Sequence, residues 1–205
     1  MAGNAQSVSG RAYGAYVNTP TASLDQSPLA VLPDATLTGG EMATASADAV
    51  SVSGTVSSEF LNSTTTGAIG TAVTTAQSTA TVADINILSG LITAQEVIAV
   101  AASGRDGTSA WSNSYGSTFE DLVVNGVAVT TGDAAVAPNT RIDVPGVGYV
   151  VLNEQVRTGD GVSSSGITVN MIHVVLESTV TDLLGGTTTT KTGDIIVGSA
   201  SSAVR

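Results

Sequence analysis

Few side chains in this 205-residue chain can do chemistry, and their spacing limits what that chemistry would be. His173, in "ITVNMIHVV", is the only histidine, and there is no cysteine. One imidazole and no thiol leave only carboxylates as further zinc ligands, so no zinc site is expected, and disulfides and thiolate nucleophiles are excluded. A Ser-His-Asp hydrolase would use His173 as its base, but no GxSxG elbow or comparable context accompanies the many serines. Period-two alternation puts His173 on the side of Ile167, Val169, Met171 and Val175, so it reads as a structural histidine.

The carboxylates are equally sparing. Asp106, Asp133, Asp160 and Asp194 each sit beside a glycine and read as turn residues, because no segment offers the D-x-D-x-D-G spacing of a calcium loop. Glu120 and Asp121 could serve as a glycosidase pair only if they converged, and adjacent strand residues point to opposite faces. Lys191, the only lysine, would need a placed Asn and a catalytic carboxylate to form an isopeptide cross-link. No cofactor is expected. Trp111 and Tyr115, in "SAWSNSYGS", are the candidate ligand-stacking pair: on a loop they could hold a sugar, or simply cap one end of the fold.

Composition narrows the class further. The formal net charge of -11 disfavours nucleic acid and anionic membranes as partners. No stretch approaches the roughly 18 to 20 apolar residues of a membrane span. The start, "MAGNAQSVSG", has neither the basic segment nor the apolar run of a signal peptide, so an export signal is expected to lie outside this numbering. Few aromatics (3%) and few charged residues (11%), with Ser, Thr and Gly filling the remainder, favour strands and turns and suit an exported protein.

The elements that must position these residues are strands. "SVSGRAYGAYV" (7–17) reads as a weak strand, and 42–58 and 70–88 as two long ones. Asn125-Gly126 predicts a type I′ hairpin, and Pro145-Gly146 in "RIDVPGVGYVVLNEQ" a second, whose polar end Asn153-Glu154-Gln155 satisfies backbone groups at a sheet edge. Residues 166–181 and 193–200 complete the set. "GLITAQEVIAVAAS" is ambiguous: Thr93 and Glu96 match a capping box, which predicts a helical turn or a bulge leading into a strand. Roughly nine to eleven strands with at most one short helix predict a single all-β domain over 1–205, a β-sandwich with a jelly roll as its variant.

The ordered segments "GRAYGAYVN", "STATVADINILSGLITAQEV", "LVVNGVAV", "APNTRIDVPGVGYVVLNEQ" and "GITVNMIHVVL" span most of the chain, and together they resemble the choice-of-anchor P family of bacterial surface proteins. The resemblance implies an exported protein and no enzymatic activity. The expectation is therefore a structural protein of the cell surface or extracellular matrix that forms a homo-oligomer or polymer. Its candidate subunit-contact strand is the N-terminal 1–18 segment, with Val8, Tyr13, Tyr16 and Val17, added to a neighbour's sheet. The alternative is a β-sandwich that binds a surface polysaccharide through Trp111 and Tyr115.

Overall fold

A computed structural model describes residues 6–35, 39–181 and 184–205, with side-chain environments given for all of these except 33–35 and 39. No helix occurs among the described residues. The long strands are β1 (Val8–Asn18), β2 (Ser23–Ala35), β3 (Gly39–Val52), β4 (Val56–Ile69), β5 (Thr74–Ile87) and β6 (Ile92–Arg105), then β13 (Gly148–Gly159), β14 (Ser165–Thr181) and β15 (Thr187–Val204). Between them run short strands: β7 (Ala110–Asn113), β8 (Thr118–Glu120), β9 (Val123–Val124), β10 (Val127–Ala128), β11 (Asp133–Ala134) and β12 (Thr140–Val144).

These strands form two packed antiparallel sheets, a β-sandwich. The first has the order β12-β13-β14-β15-β1-β2, and the second β10-β9-β6-β5-β4-β3 with β7, β8 and β11 alongside. In the first sheet neighbours are consecutive in the chain except where β15 meets β1, and in the second β3 to β6 run consecutively while β8 and β9 pair back onto β6, so each sheet is built on a meander and not on the Greek keys of a jelly roll.

Several sequence expectations need correction. The stretch 42–58 is not one strand: it reverses at Ser53-Gly54, where Gly54 has φ 68° and Thr55 N–H donates to Val52 O at 2.9 Å. The Thr93/Glu96 capping box forms no helix, because β6 pairs with β5 along its whole length. The two predicted hairpins are present, with Asn125 and Gly126 at φ 51° and 76°, and Val144 paired with Gly148 across the Pro145-Gly146 tip.

The N-terminal segment, expected to add to a neighbour's sheet, has a place within its own chain. Residues 1–5 lie outside the described residues, but β1 is an interior strand of its own sheet, between β15 and β2. Val8, Tyr13 and Val17 are buried there and Tyr16 is half-buried, so these side chains pack within their own chain. Ser7 and Arg205 exchange backbone hydrogen bonds at 3.0 Å, closing the N-terminal strand onto the C-terminal one. A methyl added at Gly14 would strike the Leu61 side chain, which explains a glycine where β1 crosses β4.

One feature shapes every long strand. Inward-facing positions are spaced by two along β5 as far as Val82 and then jump to Ile85; in β4 they jump from Ser58 to Leu61, and in β6 from Ala94 to Val97. In β14, Met171 and Ile172 are both fully buried neighbours. Each strand therefore exchanges its faces midway. The jumps align across the sheets: Phe60 (φ 50°) and Asp84 (φ 49°) mark them in the second sheet, and Asn153 (φ 49°) and Gly198 (φ 68°) flank Met171 in the first. A left-handed backbone is costly for a side-chain-bearing residue, and Phe60 is 75% exposed and gains little from packing. Phe60→Gly should therefore raise the stability read from urea unfolding by about 0.5 to 1 kcal/mol; a loss of that size would mean that the Phe60 ring, not the backbone, holds the kink.

Candidate functional site

The exchange of faces determines where the only histidine points. Beyond Met171 the parity of β14 is inverted, so His173 lies on the outer face of the first sheet, paired with Val151 and Ile196, instead of on the inner face with Ile167, Val169 and Met171. Period-two reading of the sequence fails here because the alternation is broken between Met171 and Ile172.

On that outer face His173 bridges three strands. Its Nδ1 lies 3.0 Å from Glu154 Oε2 on β13 and its Nε2 lies 2.9 Å from Asp194 Oδ1 on β15, while Lys191 Nζ approaches the same Asp194 oxygen at 2.6 Å. Asn170 Nδ2 donates to Glu154 at 2.7 Å, and its Oδ1 accepts from Ser199 at 2.7 Å. Tyr13 of β1 continues the row beside Ser199, and burial pushes its phenol upward against the opposing hydrogen bonds of Ser199 and Gln26. The polar chain thus crosses β13, β14, β15 and β1.

Electrostatically this is a stapled sheet. The hydrogen bond that the ring donates to Glu154 raises the histidine pKa above its ordinary 6.5, burial opposes that shift, and Asp194 adds to it. The same histidine holds the Glu154 carboxyl below its ordinary range, again against burial. Because both ring nitrogens engage carboxylates, a serine nucleophile would have no nitrogen to receive its proton. Asp194, expected as a turn residue, is a strand residue pairing His173 and Lys191, so Lys191 sits in an ion pair rather than beside a cross-link acceptor.

Asp106 and Asp160 are turn residues as expected. Asp106 Oδ1 accepts from the Thr108 and Ser109 backbone N–H groups, which holds its pKa at about 2, and Asp160 caps the loop 160–164 with its pKa also lowered, by the Ser163 hydroxyl first and then by the backbone N–H groups of 162–164. Ala110 N–H donates to Gly161 O at 3.0 Å and ties these two loops together. The triplet Asn153-Glu154-Gln155 divides its work: Glu154 faces outward to His173, while Gln155 reaches Ser114 in the loop between β7 and β8 at 2.7 Å and Asn153 donates to Val136 O at 2.7 Å.

Trp111 and Tyr115 flank the other sheet. A methyl built at Gly104 of β6 would land among Cζ2, Cε2 and Cη2 of the Trp111 indole, so the ring lies across bare backbone and is still 44% exposed. Tyr115 is 85% exposed on the next loop, which rests on β6 near Val100 through Gly116 and Ser117. No helix among the described residues is long and apolar enough to cross a membrane, and no cluster of three or more potential metal-ligating side chains occurs among them. The chain matches no family model, no curated protein and no solved structure.

The pH dependence of the staple follows from the two shifts. Stability from protonated His173 is fully present below 6.5 and is lost as pH rises through its raised folded value; that from Glu154 is present above 4.5 and is lost as pH falls through its lowered one. The gap in urea midpoint between the native chain and His173→Gln should therefore be widest between pH 4.5 and 6.5 and shrink on the alkaline side. A gap that does not change with pH would contradict the ion-pair account.

Proposed function

We propose that this protein is an exported, non-enzymatic structural component of a cell surface or extracellular matrix, and that copies associate by β-strand addition. The observation that carries the reading is the arm formed by the far halves of β14 and β15. Past Leu176 and Gly193 these strands leave the sandwich as a two-stranded ribbon in which Ser178, Thr179, Val180 and Thr181 pair with Thr190, Thr189, Thr188 and Thr187. Pairing of β14 with β13 ends at Leu176, and pairing of β15 with β1 ends at Asp194, so both outer edges of the ribbon project beyond the sheet.

A two-stranded ribbon is marginal alone and gains from a further strand. Natural sheets blunt their edges with Pro, charge or short strands. The body of this protein does so: β2 carries Pro28 and Pro33, and β12 has only five residues, with Arg141 and Asp143 among them. Beyond the Glu177–Lys191 pair at its base, the paired strands of the arm carry neither charge nor proline, only Ser, Thr and Val, and all of these are exposed. Beside β14 a notch of about 610 Å³, lined by Arg141, Asp143, Pro145, Gly148, Glu177 and Thr179, leaves room for an incoming strand.

The resemblance of the chain to choice-of-anchor P surface proteins and its sparsely charged, lysine-poor, hydroxyl-rich composition support the extracellular setting. Donation of β1 is the weaker route, because its place is filled within its own chain. Val180 is 64% exposed, so Val180→Lys should leave folding intact while placing a charge on the arm. Concentrated wild-type protein is expected to form oligomers or filaments by light scattering and electron microscopy, and Val180→Lys to stay monomeric with an unchanged melting temperature. Assembly that survives the substitution, or a wild type monomeric at every concentration, would refute arm-mediated association.

A further inference from the structure

We infer that the outer face of the second sheet is a binding platform for an extended, neutral polysaccharide. This reading is independent of self-association and rests on a different sheet.

Aromatic residues are segregated in this molecule. Of the seven, Tyr13 and Phe119 are buried and Tyr16 and Tyr149 half-buried. The three exposed ones, Phe60, Trp111 and Tyr115, all belong to the second sheet or to the loop along its β6 edge. Single exposed rings are ordinary, but three along one sheet, with one laid over a trough, set this face apart from the rest of the surface.

Between Phe60 and Trp111 the sheet registers three cross-strand rows. Ser46, Asn62, Thr81 and Ile98 form one; Thr44, Thr64, Thr79 and Val100 the next; Met42, Thr66, Gln77 and Ala102 the third. None of these side chains is charged, although the chain as a whole carries a net charge of -11. The hydroxyls and amides offer donors and acceptors together, as a neutral sugar requires. No cation is present in the rows to recruit an acidic polymer, and the protein's net charge repels one.

Trp111 supplies the stacking surface. Its indole lies across Gly104, where any side chain would displace it, and forms one wall of a shallow trough of about 280 Å³ floored by Ala68, Thr75, Gln77 and Ala102. A pyranose ring presents an axial C–H face that packs on such a ring while its equatorial hydroxyls reach Thr75 and Gln77. Phe60 bulges between Ala83 and Val82 of β5, and Trp111 lies in the row of Thr75, so eight residues of β5, about 27 Å, separate the two aromatic ends. That span fits a chain of several sugar units, and the trough is too open to enclose a single one.

Trp111 is the only tryptophan, so its emission reports this site alone. The test combines retention on microcrystalline cellulose, chitin and curdlan with fluorescence titration by cello-, chito- and laminari-oligosaccharides, using alginate as the acidic control. Retention on at least one neutral polymer is expected, with an emission change on the matching oligosaccharide and binding weakened about tenfold or more by Trp111→Ala. Gln77→Ala, which leaves the indole in place, should weaken binding while keeping the emission change. Val180→Lys should bind as wild type does, which separates this site from assembly. No retention on any of the three neutral polymers, equal retention of Trp111→Ala, or preference for alginate would overturn the inference.

Discussion

The transverse line of backbone kinks is the constraint on which the rest of this structure depends. Strands of 11 to 18 residues must coil to stay packed against another sheet, and here the coiling is concentrated at one level. In the first sheet Asn153 lies opposite Met171, Met171 opposite Gly198, and Gly198 opposite Gly14; in the second, Asp48 lies opposite Phe60 and Asp84 opposite Gln95. Since each strand exchanges its faces at this level, the hydrophobic core stays continuous while the polar residues change sides. The His173 staple with Glu154 and Asp194 lies outside only because of that exchange.

The core itself is built from small parts. Val, Ala, Ile and Leu dominate it, with Phe119 as its one fully buried aromatic ring. Towards the end where the termini meet, hydroxyl pairs replace apolar contacts: Ser103 and Ser202 join the two sheets at 2.8 Å, and Thr65 meets Ser78 at 2.9 Å. Such pairs satisfy buried polar groups and let the sheets approach closely, as Gly10 and Gly14 of β1 also do where they face Thr65 and Leu61. The N-terminal strand is thereby committed to its own domain. What remains uncommitted is backbone at the arm and aromatic surface on the second sheet.

Legibility in the sequence was uneven, for physical reasons. The β class, the Asn125-Gly126 and Pro145-Gly146 hairpins and the turn roles of Asp106 and Asp160 follow from local chemistry, and local chemistry is what a sequence displays. The Ser53-Gly54 reversal was hidden because alternation runs through it almost unbroken. The side on which His173 lies was misjudged because the faces exchange between Met171 and Ile172 with no glycine or proline at that point of β14 to mark it. Its partners Glu154 and Asp194 lie 19 and 21 residues away, and only strand register brings them together. Nothing local marks the threonines before Lys191 as half of an arm, because only their register with Ser178–Thr181 makes one. Trp111 and Tyr115 were visible as candidates, while Gly104 beneath the indole and the uncharged rows beside it are properties of the sheet.

The central claim is that pairing capacity between copies resides in the arm and not in the N-terminal strand. Backbone hydrogen exchange, compared residue by residue between dilute monomer and assembled protein, tests it most directly. Amides of Ser178–Thr181 and Thr187–Thr190 should exchange rapidly in the monomer and become protected on assembly, while those of Val8–Asn18 are protected in both states. Arm amides that exchange equally fast in both states, with protection gained instead along Val8–Asn18, would contradict it.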